Sequence, residues 1–145
     1  MLENQPMSKV LLDTNILIYA KDVASVHHVS SLSFFRSSHQ LFLTSKNLTE
    51  YYAVVTKGEK PLLSPAEALD DIEEFVTHCT VLYPNATSHQ QLTELILRHK
   101  PKGILIHDFE IAAIALAGGI FKIATFNGAD FQMLKEIEVI TPQPK

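Results

Sequence analysis

The chain has 145 residues, 46% of them apolar and 19% charged, with one cysteine. That is enough for one domain with its own core, too apolar for a disordered segment, and unable to form an internal disulfide. Its formal net charge of −4 is opposite in sign to that of a typical nucleic-acid binder, whose affinity comes from Lys and Arg on phosphates, although a bound divalent ion would reverse the local sign.

Residues 1–9 carry Glu3 and no apolar run, so no secretory signal is read there, and Met7 is an alternative candidate start. The longest apolar stretch, Val10 to Ala20, contains Asp13 and Asn15 and is too short to span a bilayer. A soluble, cytoplasmic protein without a membrane partner is expected, with Cys79 reduced.

Lys9 to Leu12 is a short apolar run that reads as a strand, and Asn15 to Lys21 reads as a helix with Asp13 or Thr14 near its N-cap. In His27 to Ser37, Val29, Leu32 and Phe35 recur at helical spacing. Gln40 to Thr44 is a strand centred on Leu41-Phe42-Leu43. Lys46 to Lys57 follows as a helix whose stripe is Leu48, Tyr51, Tyr52 and Val55, closed by Gly58 and Pro61.

Ser64-Pro65-Ala66-Glu67 combines an N-cap serine, proline at the first helical position and a capping-box glutamate. The helix it starts runs to about His78, with Leu69, Ile72, Phe75 and Val76 inward and Asp70, Asp71, Glu73 and Glu74 outward. Thr80 to Tyr83 is a strand, and Ser88 to His99 a helix on Leu92, Leu95 and Ile96. Asp108 to Ala117 is an alanine-rich helix stopped by Gly118-Gly119. Ile120 to Phe126 is a strand, Asn127-Gly128 a turn, and Glu138 to Thr141 the last strand. Strands alternating with helices predict a single α/β domain over residues 1–145, a three-layer α/β/α sandwich with a mostly parallel central sheet.

Four carboxylates stand where apolar runs give way to turns or helices: Asp13, Glu50, Asp108 and Asp130. In a parallel sheet the ligand crevice lies beyond the C-terminal strand ends. Asp13 and the Thr125–Asp130 turn follow strands directly, Glu50 shares a helix side with Asn47, Val54 and Lys57, and Asp108 shares one with Ile111, Ala112 and Ala115. Clustered acids repel and raise one another's pKa values. Mg²⁺ or Mn²⁺, which takes oxygen ligands and keeps several waters, resolves that conflict and can activate water for attack on a phosphodiester.

These residues resemble the PIN domain. Leu12-Asp13-Thr14-Asn15, Glu50, the His107-Asp108 helix start and Thr125-Phe126-Asn127 with Asp130-Phe131 occur in matching order, and the chain's size is most similar to the VapC-type toxins of bacterial toxin–antitoxin pairs. The resemblance implies a Mg²⁺- or Mn²⁺-dependent endoribonuclease that cuts RNA and is held inactive by a cognate antitoxin, a segment of which covers the crevice. It also implies a homodimer, with helix faces such as Phe34 and Phe35 as contacts. By position, Asp13 and Asp108 are the main metal ligands, Glu50 and Asp130 supporting acids, and Asn15 a hydrogen-bonding brace; Thr44 or Ser45 lines the site. Many family members carry an acid two residues after the threonine, where this chain has Asn127. Either Asp130 substitutes from the same turn or the site uses three acids.

Each acid also has a structural reading. Asp13 and Asp108 can cap helices, Glu50 can be a solvated helix acid, and Asn127, Gly128 and Asp130 suit an ordinary turn. His27, His28 and His78 show no metal-ligand spacing, and His107 suits a surface position. Lys46 and Lys57 lie near the expected crevice, whereas Tyr51 and Tyr52 suit core or dimer packing. A haloacid dehalogenase-like phosphohydrolase, with Asp13 as nucleophile, is the alternative enzyme, but it wants a second Asp where Asn15 stands. A non-catalytic RNA- or protein-binding domain is the alternative without chemistry. A receiver domain wants an acid pair that Ser8-Lys9-Val10 lacks.

Overall fold

β1 (Lys9–Leu12) forms because Val10, Leu11 and Leu12 are all apolar and all lose their contact with solvent. Such an unbroken run belongs to a parallel strand covered on both faces. The computed structural model describes residues 8–142, which leaves the Glu3 and Met7 readings outside the described residues. In it β1 is central: β2 (Gln40–Thr44) and β3 (Thr80–Leu82) extend the sheet on one side, β4 (Lys122–Ala124) and β5 (Glu138–Ile140) on the other. The order is β3-β2-β1-β4-β5 and every pairing is parallel, with Val10 beside Leu41 and Leu12 beside Ala124.

Helices α1 (Thr14–Lys21) and α2 (His28–Phe35) join β1 to β2, and α3 (Ser45–Thr56) and α4 (Pro65–His78) join β2 to β3. Helices α5 (Ala86–His99) and α6 (Ile106–Ala117) carry the chain back to β4. Side-chain alternation along the strands divides the core. Val10, Leu12, Leu41 and Leu43 pack with Ile16, Leu17, Phe34, Tyr51 and Phe75, whereas Leu11 and Ile123 pack with Leu95, Phe109 and Ile111. The expected sandwich is therefore present, α1–α4 covering one face and α5–α6 the other. Right-handed crossovers demand that division, because the chain first runs outward from β1 and then returns past it. The reversal puts the topological switch point, where parallel α/β sheets take their ligands, between the C-terminal ends of β1 and β4.

Several local expectations shift. α6 begins at Ile106, after a 3-10 turn at Gly103–Leu105, so Asp108 lies in its first turn rather than opening it. β4 is shorter than Ile120 to Phe126, and Asn127 leads into a 3-10 turn at Gly128–Phe131. α2 buries Ser30, Ser31 and Phe34 and leaves Val29 exposed, small hydroxyl side chains letting it lie close against α1. α4 packs mainly on α3 and β3 through a narrow stripe of Ala68, Ile72 and Phe75; Leu69 and Val76 stay 53% and 42% exposed. Asp71 turns inward, accepting the Tyr51 hydroxyl at 2.6 Å and pairing with Lys21 at 3.6 Å. Tyr51 is buried while Tyr52 is not, and Ile96 is likewise exposed. Phe34 is buried in the core and Phe35 is partly buried against it. Among the described residues no helix is long and apolar enough to cross a membrane.

Candidate active site

Asp13 lies where β1 ends and α1 begins, with only 6% of its surface exposed. Its extended backbone makes it the N-cap of α1, and its Oδ1 accepts from Thr14 N at 2.9 Å. Its Oδ2 accepts from the Thr125 hydroxyl at 2.8 Å. Thr125, buried just past β4, is itself fixed, because its Oγ1 accepts from Asn15 Nδ2 at 3.2 Å and from Asn127 N at 3.0 Å. Asn15 Oδ1 in turn accepts from Phe126 N at 3.2 Å. Two strand ends on either side of the topological switch are thereby tied into one rigid support for a single carboxylate. Burial raises the pKa of Asp13, the bonds from Thr125 and Thr14 oppose that rise, and the charges of Glu50 and Asp130 add to it.

Asp108 projects from the first turn of α6 and is half-buried. Burial first, and then the charges of Asp13, Asp130 and Glu50, push its pKa up to about 7. The four acids named from sequence thus share one electrostatic neighbourhood although four different segments supply them. Asp13 and Asp108 are its buried members; Glu50 on α3 and Asp130 in the 3-10 turn are exposed at its rim. Lys46 pairs with Glu110 at 2.9 Å, linking the starts of α3 and α6 that carry Glu50 and Asp108.

Among the described residues no three His, Cys, Asp or Glu side chains are close enough together to enclose an ion as they stand. The donor set nevertheless fits a hard cation, since every available donor is oxygen and Mg²⁺ needs only one or two carboxylates, with waters completing its octahedron. Asp13 and Asp108 would be the residues to hold one.

Of the supporting residues, Asn15 is linked to Asp13 through the Thr125 hydroxyl. Thr44 does not line the crevice: it is fully buried, caps α3, and its hydroxyl donates to Asn47 Oδ1 at 2.7 Å. Ser45 is the first residue of α3 and Asn127 is exposed beside the acid rim, held through its backbone. His107 is exposed. Sequence reasoning missed Thr125 as the partner of Asp13 and Asn47 as the link from α3 to α1, where its Nδ2 donates to Thr14 Oγ1 at 3.0 Å. A polar residue ending the apolar run Ile123-Ala124-Thr125 was the available signal for the first.

The PIN domain model matches residues 10–136. Among solved structures the chain is similar to DNA-bound VapBC from Salmonella typhimurium, at 24% identity and a TM-score of 0.68 over 93% of this chain and 98% of that one. It is similar to VapBC2 from Rickettsia felis bound to a DNA fragment from its promoter, at 19% identity and TM-score 0.68 over 93% and 99%. The third is Mycobacterium tuberculosis VapC20, a Sarcin-Ricin loop cleaving toxin, at 16% identity and TM-score 0.68 over 86% and 95%. No curated protein matches the chain by sequence. The structural likenesses carry the fold, on which the haloacid dehalogenase-like alternative gives way; Asn15, where that enzyme wants an acid, holds Thr125 and Phe126 instead. By the span and the description of the matching model, the chain belongs to the PIN domain family.

Proposed function

We propose that the protein is a Mg²⁺- or Mn²⁺-dependent endoribonuclease that hydrolyses RNA phosphodiester bonds, and that it is the toxin of a toxin–antitoxin pair. The observation that carries the chemistry is the convergence of Asp13, Glu50, Asp108 and Asp130, in which burial first and then the three neighbouring acids push the pKa of Asp108 up to about 7. A crevice that concentrates negative charge in this way is poised for a divalent cation. When bound, such an ion supplies an activated water and neutralises charge on the phosphoryl oxygens. Asp13 and Asp108 would hold it, with Glu50 and Asp130 at the rim as supporting acids. Thr14 N and the Thr125 hydroxyl keep the Asp13 carboxylate from turning away, with Asn15 and the backbone of Asn127 fixing Thr125.

RNA as substrate and an antitoxin as partner are supported by the similar structures, which include the Sarcin-Ricin loop cleaving toxin and a toxin–antitoxin complex from Klebsiella pneumoniae. The antitoxin would cover the acid crevice with a basic side chain, and the active form would be a cytoplasmic homodimer. The testing experiment is cleavage of labelled RNA by purified protein with Mg²⁺ or Mn²⁺, beside EDTA and Asp13→Asn controls. Metal-dependent cutting that Asp13→Asn abolishes is the expected result. Equal behaviour of wild type and Asp13→Asn on several RNAs, together with no metal binding, would leave a non-catalytic binding domain. Co-purification with the product of an adjacent gene, and loss of cutting on its addition, tests the antitoxin; light scattering tests the dimer.

A further inference from the structure

Beside the acid crevice, three rings meet between α1, α2 and the end of β4. The ring centroids of Tyr19 and His27 are 5.0 Å apart, those of Tyr19 and Phe126 5.3 Å, and those of His27 and Phe126 4.3 Å. All three residues are partly buried, and Phe126 also packs against the core. Tyr19 lies one helical turn after Asn15 and shares its side of α1. Phe126 directly follows Thr125, and its backbone N–H donates to Asn15 Oδ1 at 3.2 Å. The cluster is therefore held in fixed relation to Asp13 through the same hydrogen bonds that orient that carboxylate.

His27 is the member that packing does not account for. Its Nδ1 is buried without a hydrogen-bond partner, and it precedes α2 without a side-chain cap bond. Burying an unpaired ring nitrogen costs free energy that Leu or Phe at the same place would not. The neighbouring His28 is different, because its Nδ1 meets Tyr19 O at 2.9 Å and fixes the turn between the helices. The His27 ring is thus positioned by its contacts with Phe126 and Tyr19.

Proteins that take single-stranded RNA lay its bases on half-exposed aromatic rings beside the groups that handle the backbone. We propose that Tyr19, His27 and Phe126 form the subsite that receives one nucleobase of a single-stranded RNA, adjacent to the phosphodiester held at the Asp13 crevice. The inference rests on the nuclease reading and adds to it the residues that seat a base. Stacking recognises a π-face that every base has, so the subsite positions the strand more than it selects a sequence.

The test is cleavage, and in parallel filter binding, of a labelled single-stranded RNA in which one abasic nucleotide is moved along the strand in the presence of Mg²⁺. With wild type, the abasic nucleotide lowers kcat/KM by about 5- to 100-fold at one position next to the cut, the range expected for loss of one stacked base. In His27→Ala that positional penalty disappears, because the intact strand is then cut as slowly as the abasic one, whereas His27→Phe, which keeps the face, retains it. Thermal melting of both variants establishes that they are folded. A penalty of equal size in folded His27→Ala overturns the subsite and leaves the nuclease standing. Binding with the positional penalty but no Asp13-dependent cutting supports the subsite and overturns the nuclease. Neither binding nor cutting of any strand overturns both.

Discussion

Asp108 carries the clearest consequence of the crowded acids. Its pKa, pushed up to about 7 by burial and then by Asp13, Asp130 and Glu50, lies above the ordinary 3.8 of the unfolded chain. Between those two values the folded protein holds more proton than the unfolded one, so metal-free stability falls as pH rises through that window. Metal affinity moves the other way. An ion entering below pH 7 must displace the Asp108 proton, so its affinity should rise by about tenfold per pH unit up to roughly pH 7 and then level off. Calorimetric titration with Mn²⁺ from about pH 5.5 to about 8.5 measures that slope, and Asp108→Asn should flatten it. An unchanged slope in Asp108→Asn would move the linked proton to another carboxyl, with Asp13, also raised by burial, the first to examine.

Among the elements, α3 shows how a helix start is turned into part of the site support. Asn47, fully buried, accepts Thr44 N at 3.0 Å and the Thr44 hydroxyl at 2.7 Å, and donates to Thr14 Oγ1 at 3.0 Å. One amide therefore joins the end of β2, the start of α3 and the start of α1, the last of these beginning at Asp13. Asn47→Ala leaves Thr44 N and Thr14 Oγ1 without partners and should cost about 2 to 4 kcal/mol, lowering Tm by about 5 to 15 °C. A calorimetric Tm within a degree or so of wild type would mean that water satisfies these groups. The same contrast marks what the sequence makes legible. The α4 start was readable because Ser64, Pro65 and Glu67 form a complete capping box within four residues, and it is present with both bonds made. Asn47 to Thr14 spans 33 residues and Thr125 to Asp13 spans 112, and no local pattern announces such a pair. The inward faces of α2 and α4 failed for a related reason: periodicity says that a face exists, but the neighbouring helix decides which face is covered. Asp13 and the turn carrying Asp130 were easier to place, because a position just after a strand is a topological property that the alternation of elements already contains.

At the scale of the whole molecule, a chain of net charge −4 folds so as to gather Asp13, Glu50, Asp108 and Asp130 at one end of its sheet. The unfolded chain keeps these acids apart, so a cation that joins them binds the folded form alone. Stabilisation then follows mass action, about 2.7 kcal/mol when the free ion is at 100 times its Kd, or about 5 to 10 °C in Tm. EDTA should remove that increment. Asp13→Asn separates the cost of the site from the gain made by the ion. Without metal, the substitution removes a buried charge whose pKa burial already raises, so Tm in EDTA should equal or exceed that of wild type, less whatever the altered bond to Thr125 forfeits. With Mn²⁺, the variant loses a ligand and should gain little. The two proteins should therefore exchange rank on adding the ion, wild type the less stable without it and the more stable with it, as expected where a functional site is held against stability. Melting curves of both proteins across a Mn²⁺ titration decide the matter. A Tm indifferent to Mn²⁺ in wild type would mean that the acid end of the sheet is not a cation site, and the nuclease proposal would lose its chemical agent.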